Sequence, residues 1–501
     1  MSADSSPPRD AAEPPSARRA AAEHVQAGPG SRDGRGALGW SARRREGALE
    51  GHLSPRDPLS PRAAFEQLSK LTRGMVRYEP REIWEMDTAL LPHDLAKLRR
   101  ELRAFGEREL RPLALSIDAA EGDAHGASSP RVQELLSVAG RAGLLSDMLP
   151  RPLGGAAPSL FRHPLPMAAS LKTEELSAID GGLMLAICAH GLGVAPLLLS
   201  GELGKIRRFL LPAMRANLEG ETHLFAFAIT EPAAGSDVEE GHGAAQLDPG
   251  TIARRRQGGW SLRGRKCFIS GGDLAKSTLV FAALEGEDLR SWTAFLVPHD
   301  APGYHVVRTE QKMGMRASAA AELELEEVFV PDAQVIGGLR GGWALNRATL
   351  NLSRLPVAAM GVGFARAATE AAMDFACAFS LGGKPLIAYQ DVQLSLSQML
   401  ATTQAARAMV WSAASRRQPI QREASAAKAF CTDSAIEVTT RAMDLLGNHA
   451  VLHTERVEKI YRDARLTQIF EGTNQINRLA MIEDIQEQLG ATIERLRGTR
   501  A

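Results

Sequence analysis

The spacing of apolar positions changes twice along this chain. Across 95–113, "LAKLRRELRAFGERELRPL", Leu95, Leu98, Leu102, Phe105 and Leu110 recur at roughly 3.6-residue spacing, which predicts an amphipathic helix. Within 183–199, "LMLAICAHGLGVAPLLL", the chain is apolar apart from His190 and two glycines. That stretch is slightly short for a bilayer span and predicts a buried core helix and turn, so no membrane partner is expected. Pro150 and the pair Gly154–Gly155 break the chain between these helical regions.

From about 221 to 337 the period becomes two. "HLFAFAIT" sets Phe225, Phe227 and Ile229 on one side, and "STLVFAAL", "TAFLVP" and "AELELEEVFVP" predict further short strands. After about 338 helices return, and Gly447–Asn448 is placed to end "SAIEVTTRAMDLL" as a left-handed C-cap. The expected fold class is therefore α+β: a helical region over 61–220, a β-domain over 221–337 and helices over 338–501. This order is not the alternating βαβ of a dinucleotide-binding sheet, and no GxGxxG follows a strand. Residues 1–60 are rich in Ala, Pro, Arg, Gly and Ser, too poor in aliphatics to offset chain entropy, and are expected to be disordered.

Charge and cysteine content narrow the function classes. The 501 residues carry 59 basic and 59 acidic side chains, which argues against a nucleic-acid binder that works through a global basic field. Cys188, Cys267, Cys377 and Cys431 lie far apart without metal-ligand spacing, so a reduced compartment and no metal site are expected. The opening "MSADSSPPRD" has neither a basic n-region nor an apolar core, and a cytoplasmic location is the expectation.

Three stretches carry candidate chemistry. In "RDARLTQIFEGTNQINR" (462–478), Glu471 follows the apolar pair Ile469–Phe470 and precedes the pliable Gly472–Thr473. Desolvation there raises a carboxylate's pKa and makes it a usable base, whereas on these residues alone an ordinary surface loop is equally open. In "FAFAITEPAAGSDV" (225–238) a strand delivers Thr230 into a turn with Gly235, Ser236 and Asp237, whose N–H groups and hydroxyls suit an electron-rich ring or a phosphate. In "GRKCFISGG" (264–272) Phe268 and Ser270 occupy alternate positions of one strand face, an aromatic wall and a hydroxyl for a shared pocket.

Together with "QKMGMRASAAAELELEEVFVP", these stretches resemble the acyl-CoA dehydrogenase family, in the family's order, over roughly 90–490. The resemblance implies an N-terminal helical domain, a β-barrel-like middle domain and a C-terminal four-helix bundle. It implies FAD-dependent α,β-desaturation of an acyl thioester, carried by coenzyme A or a carrier protein. Glu471 falls on the base that takes the α-proton. Thr230 and Ser270 fall on hydroxyls that bond the flavin, and Phe268 on the aromatic beside it; Phe227, Ile229, Gln390, Thr473 and Gln475 match further flavin contacts. Ser236, Arg354 and Gly472 match substrate contacts. An electron-transferring flavoprotein as acceptor and assembly as a dimer or dimer of dimers are implied as well.

The chain departs from the family where a partner subunit's flavin tail is usually held. Relatives place an arginine in the segment that reads "FACAFSLGGKPLIAYQ" here; by register from Gln390, Phe379 takes its place. In "DLLGNHAV", Asp444 replaces an amide, and Asn448 and Ala450 replace glycines. Three readings follow: a homo-oligomer with altered FAD contacts, Arg366 or Lys384 substituting; a hetero-oligomer whose sister chain supplies the tail contacts; and a subunit that has lost FAD. A DNA-associated branch would need a basic C-terminal surface, and here Arg407, Arg416 and Arg417 face Glu483, Asp484 and Glu487 in number.

Overall fold

Helical periodicity dominates both ends of the computed structural model, which describes residues 61–75, 82–120, 129–236 and 248–498. The disorder expected for 1–60 and the Asp237 end of the turn lie outside the described residues. The N-terminal helices that bear on the site are α1 (Ile83–Ala89), α2 (His93–Phe105), α3 (Pro130–Arg141), α4 (Leu165–Ser177), α5 (Gly181–Cys188), α6 (His190–Leu199) and α7 (Leu211–Glu219). On α2, Leu95, Leu102 and Phe105 are buried as their spacing predicts, and Leu110 follows in a wider π-type turn, Gly106–Leu110. Asp180 starts α5 by accepting the Leu183 N–H at 2.8 Å. The segment Gly181–Leu199 is apolar enough to cross a membrane, yet 67% of it is buried within the protein, the behaviour of a core element.

Eight strands form one sheet: β1 (Phe225–Ala228), β2 (Ile252–Arg256), β3 (Gly259–Ser270), β4 (Ser277–Leu284), β5 (Thr293–Pro298), β6 (Tyr304–Thr309), β7 (Ala320–Pro331) and β8 (Val335–Ile336). Their order is β6-β7-β3-β2-β4-β5-β8, with β1 pairing β4 in parallel. Strand β1 is enclosed on both faces. Phe225, Phe227 and Ile229 join one apolar cluster with Phe281 and Trp292, while Ala226 and Ala228 join another with Leu183 and Phe364.

The C-terminal helices are α8 (Gly342–Ala378), α9 (Gln390–Ala414), α10 (Gln421–Leu446), α11 (Val457–Thr467) and α12 (Asn474–Gly498). Helix α8 packs most extensively against α10 and also against α4. The expected left-handed cap at Gly447 is corrected: its φ of 56° is positive, but its ψ of −127° lies outside the left-handed helical region. The chain turns there into a short 3₁₀ segment, Gly447–His449, instead of closing the helix on itself.

A buried ionic network joins the N-terminal helices to the bundle. Arg99 on α2 donates to Glu175 at 2.7 Å and Glu174 at 3.0 Å, both on α4. Arg366 on α8 reaches Glu175 at 2.6 Å, and Arg407 on α9 reaches Glu174 at 3.0 Å and Asp87 at 2.5 Å. Burial alone would raise Glu175, but the Arg366 and Arg99 guanidiniums outweigh it and hold its carboxyl far below the usual range. Six charges of balanced sign thereby lock three layers in register.

Candidate active site

Between the sheet, α4–α6 and α8 lies a cavity of about 1250 Å³, larger than the 300–1,000 Å³ usual for one small ligand. Its sheet wall is made by Phe227, Ile229, Thr230, Gly235, Ser236, Phe268 and Ser270, and its far wall by Ser353, Glu471, Gly472 and Thr473.

The sheet wall is fixed from behind. Lys266 on β3 is fully buried and donates to Glu231 at 2.8 Å and to the Ile229 carbonyl at 3.0 Å, and Cys267 N–H donates to the Thr230 carbonyl at 3.0 Å. The turn after β1 is thus tied to β3, which sets Thr230 beside Phe268. Phe268 and Ser270 both line the cavity with buried Ile269 between them, as expected of alternate positions, but the strand leading to them is irregular. The β3–β7 register shifts between Lys266 and Ile269, and Phe268 takes a φ of 58°. This bulge turns Phe268 out of the sheet, leaving it 62% exposed on the cavity wall.

Opposite stands the turn between α11 and α12. Glu471 has a φ of 56° and Gly472 a φ of 77°. For a non-glycine residue the left-handed region costs about 1–2 kcal/mol, so contacts must hold the turn. Asn477 Nδ2 donates to the carbonyls of Gly472 at 2.9 Å and Thr473 at 3.0 Å. Lys428 Nζ, from α10, donates to the Gly472 carbonyl at 2.6 Å and to Asn474 Oδ1 at 2.9 Å. Thr473 N–H reaches across to Ser236 Oγ at 3.1 Å, closing the cavity between its two walls.

The Glu471 carboxylate accepts a hydrogen bond from Ser353 Oγ on α8. Desolvation by burial raises its pKa, and the Ser353 hydroxyl, Arg354 and Lys428 oppose that rise without cancelling it. A carboxylate in this state binds a proton more tightly than one in water, which is what general-base work at neutral pH requires.

The structure therefore brings Glu471, Phe227, Ile229, Thr230, Ser236, Phe268, Ser270, Gly472 and Thr473 together around one cavity. It leaves three expected site residues off its walls. Arg354 is buried on the α8 face turned towards α10, donating to Ser425 Oγ at 3.0 Å, and Gln390 and Gln475 are exposed. Of the two substitute cations expected, Arg366 is buried in the ionic network and Lys384 lies 3.9 Å over the Tyr389 ring. Arg407 is buried, which removes one of the three arginines counted towards a basic surface. Sequence reasoning missed Ser353 and Lys428; the signal for Lys428 was a lone cation among the small residues of "ASAAKAF".

Among the described residues, Asp118, His453 and Glu458 bring donor atoms within 4.8 Å of one another. Arg462 already fills that group, at 2.6 Å from both Asp118 and Glu458, so it is an ion-pair cluster.

The cavity suits a flavin ring: an apolar edge from Phe268 and Phe227 stands beside the hydroxyl-bearing Thr230, Ser270 and Thr473, with room left for an acyl chain. Comparison with known proteins agrees. The chain matches the acyl-CoA dehydrogenase N-terminal domain over residues 92–216, the middle domain over 226–328 and the C-terminal domain over 340–486. It is 31% identical to an acyl-CoA dehydrogenase of Bacillus subtilis over 387 residues, 76% of this chain and 95% of that protein. It is 30% identical to the mouse mitochondrial short-chain specific acyl-CoA dehydrogenase over 397 residues, 78% of this chain and 90% of that protein. The butyryl-CoA dehydrogenase structure from Megasphaera elsdenii superposes with a TM-score of 0.70 at 28% identity, covering 79% of this chain and 99% of that one.

Proposed function

The chain belongs to the acyl-CoA dehydrogenase family of FAD-dependent oxidoreductases, and from that premise we propose that it desaturates an acyl thioester between Cα and Cβ, with Glu471 as the base. The observation that carries this reading is the Glu471 carboxylate, held on the cavity wall in a left-handed turn and desolvated opposite a row of hydroxyls. An α-proton beside a thioester is too weakly acidic for a solvated carboxylate. A positioned base contributes about 10²–10⁴ in rate, and oxyanion donors about 3–4 kcal/mol more. Bound FAD supplies the acceptor for the β-hydrogen, which leaves as hydride. Thr230, Phe268, Ser270 and Thr473 would hold its ring, and Ser236 and Gly472 would contact the thioester. The apolar walls given by Leu102, Phe105, Leu350 and Met360 suit an acyl chain and exclude water from the base. An electron-transferring flavoprotein is the proposed acceptor of the electrons.

The test is Glu471→Gln. The variant is expected to keep any bound flavin's spectrum and to lose bleaching by acyl-CoA under anaerobic conditions. Full turnover by this variant would refute the assignment.

A second reading concerns assembly. At the position expected to carry an arginine, Phe379 stacks on Phe375 at 5.0 Å and meets His449 edge-on at 5.5 Å. The Phe379 ring offers a pyrophosphate no charge where an arginine would, which favours a hetero-oligomer whose sister chain holds the tail of the flavin. The absorbance spectrum and assembly mass of the protein expressed alone separate the cases: one FAD per chain supports a homo-oligomer, and a colourless folded protein supports a missing sister chain.

A further inference from the structure

A buried ammonium lies directly behind the base. Lys428 sits on α10, its side chain wholly enclosed, and it makes two hydrogen bonds to the turn that carries Glu471. One goes to the Gly472 carbonyl at 2.6 Å, the peptide group next to Glu471. The other goes to Asn474 Oδ1 at 2.9 Å, and Asn474 opens α12 and donates to Asp433 at 2.7 Å and Thr432 at 2.9 Å. Burying an ammonium is costly, and a core that needed only volume here would be served by methionine or leucine.

We propose that Lys428 is a positioning residue for the reaction: it fixes the left-handed Glu471–Gly472 turn through the Gly472 carbonyl and brings a positive charge behind the base. The positive φ at Glu471 and Gly472 sets the direction in which the Glu471 Cα–Cβ bond leaves the backbone while the turn is held. Asn477 holds the same carbonyl from the α12 side, so the turn is clamped between α10 and α12. The charged groups facing Glu471 are Arg354 on α8 and Lys428 on α10, with the neutral Ser353 hydroxyl bonded to the carboxylate. Arg354 donates to Ser425 on α10, whereas Lys428 reaches the base's own turn.

The proposal rests on Glu471 being the base, and the test separates the two. Lys428→Met removes both charge and hydrogen bond; Lys428→Gln removes the charge and keeps an N–H donor for the Gly472 carbonyl. In both variants the acid limb of kcat/KM, followed by flavin reduction with acyl-CoA, is expected to move to higher pH. In Lys428→Met alone kcat at the optimum should also fall, by about 10²-fold if the carboxylate drifts by about 1 Å. Folded variants with an unmoved acid limb would overturn the proposal, because a merely structural lysine would leave the limb in place. Failure of both variants to fold would equally overturn it, assigning Lys428 to the core. If the native protein is not reduced by any acyl-CoA, or Glu471→Gln turns over normally, the reading of the base fails instead.

Discussion

Replacing Ser353 by alanine isolates the one side-chain hydrogen bond made to the Glu471 carboxylate among the described residues. Ser353 donates, so the bond favours the ionised form, and its loss must raise a pKa that burial has already raised. Hydrogen bonds to charged groups contribute about 1.5–3 kcal/mol, enough to move the acid limb of the rate profile visibly to higher pH. The assay is anaerobic stopped-flow flavin reduction by acyl-CoA across pH, fitted for both kcat/KM and kcat. The limb that should move is that of kcat/KM, which reports the free enzyme, the state in which this contact exists. At high pH, where Glu471 is ionised in both proteins, the rates should converge, or the variant should be faster because its base is stronger. An acid limb of kcat/KM that stays in place, or moves to lower pH, would refute the reasoning. It would mean that Ser353 orients the carboxylate without bearing on its ionisation.

Two further outcomes test the scaffold and the assembly. Arg99→Met leaves Glu174 and Glu175 with an uncompensated buried charge and should destabilise the protein by about 3–5 kcal/mol, read as a lowered urea midpoint. Glu175's pKa is depressed in the folded protein, so its contribution is complete above the unfolded value of about 4.3 and is lost as pH falls towards the folded one; the gap between variant and native protein should therefore narrow below about pH 4. Phe379→Arg should increase the flavin retained through gel filtration by protein expressed alone, and unchanged retention would show that this position does not face a pyrophosphate.

How much of this was legible in the sequence depends on how local each determinant is. The helical, β and helical succession followed from period alone, because burying one face forces 3.6- or 2-residue spacing on the chain. Glu471 stood out by its immediate neighbours, Ile469, Phe470 and Gly472. What failed were features set by distant backbone. Phe268 lines the cavity as its place in the strand predicts, but it does so from a bulge against β7, and nothing in "KCFISGG" encodes a positive φ at a phenylalanine. Ser353 lies 118 residues from Glu471 and Lys428 lies 44 residues from Gly472; both contacts arise only when α8 and α10 pack side by side beneath the turn. Arg354 shows the same limit in reverse. One residue along a helix is a rotation of about 100°, so with Ser353 turned to the cavity, Arg354 had to face α10. The sequence reading named Arg354 and missed Ser353, because spacing alone does not say which of two adjacent helix positions faces the cavity. The proposed base is thus a candidate from its own loop, while the groups that bear on its ionisation belong to the bundle and become visible only with the fold.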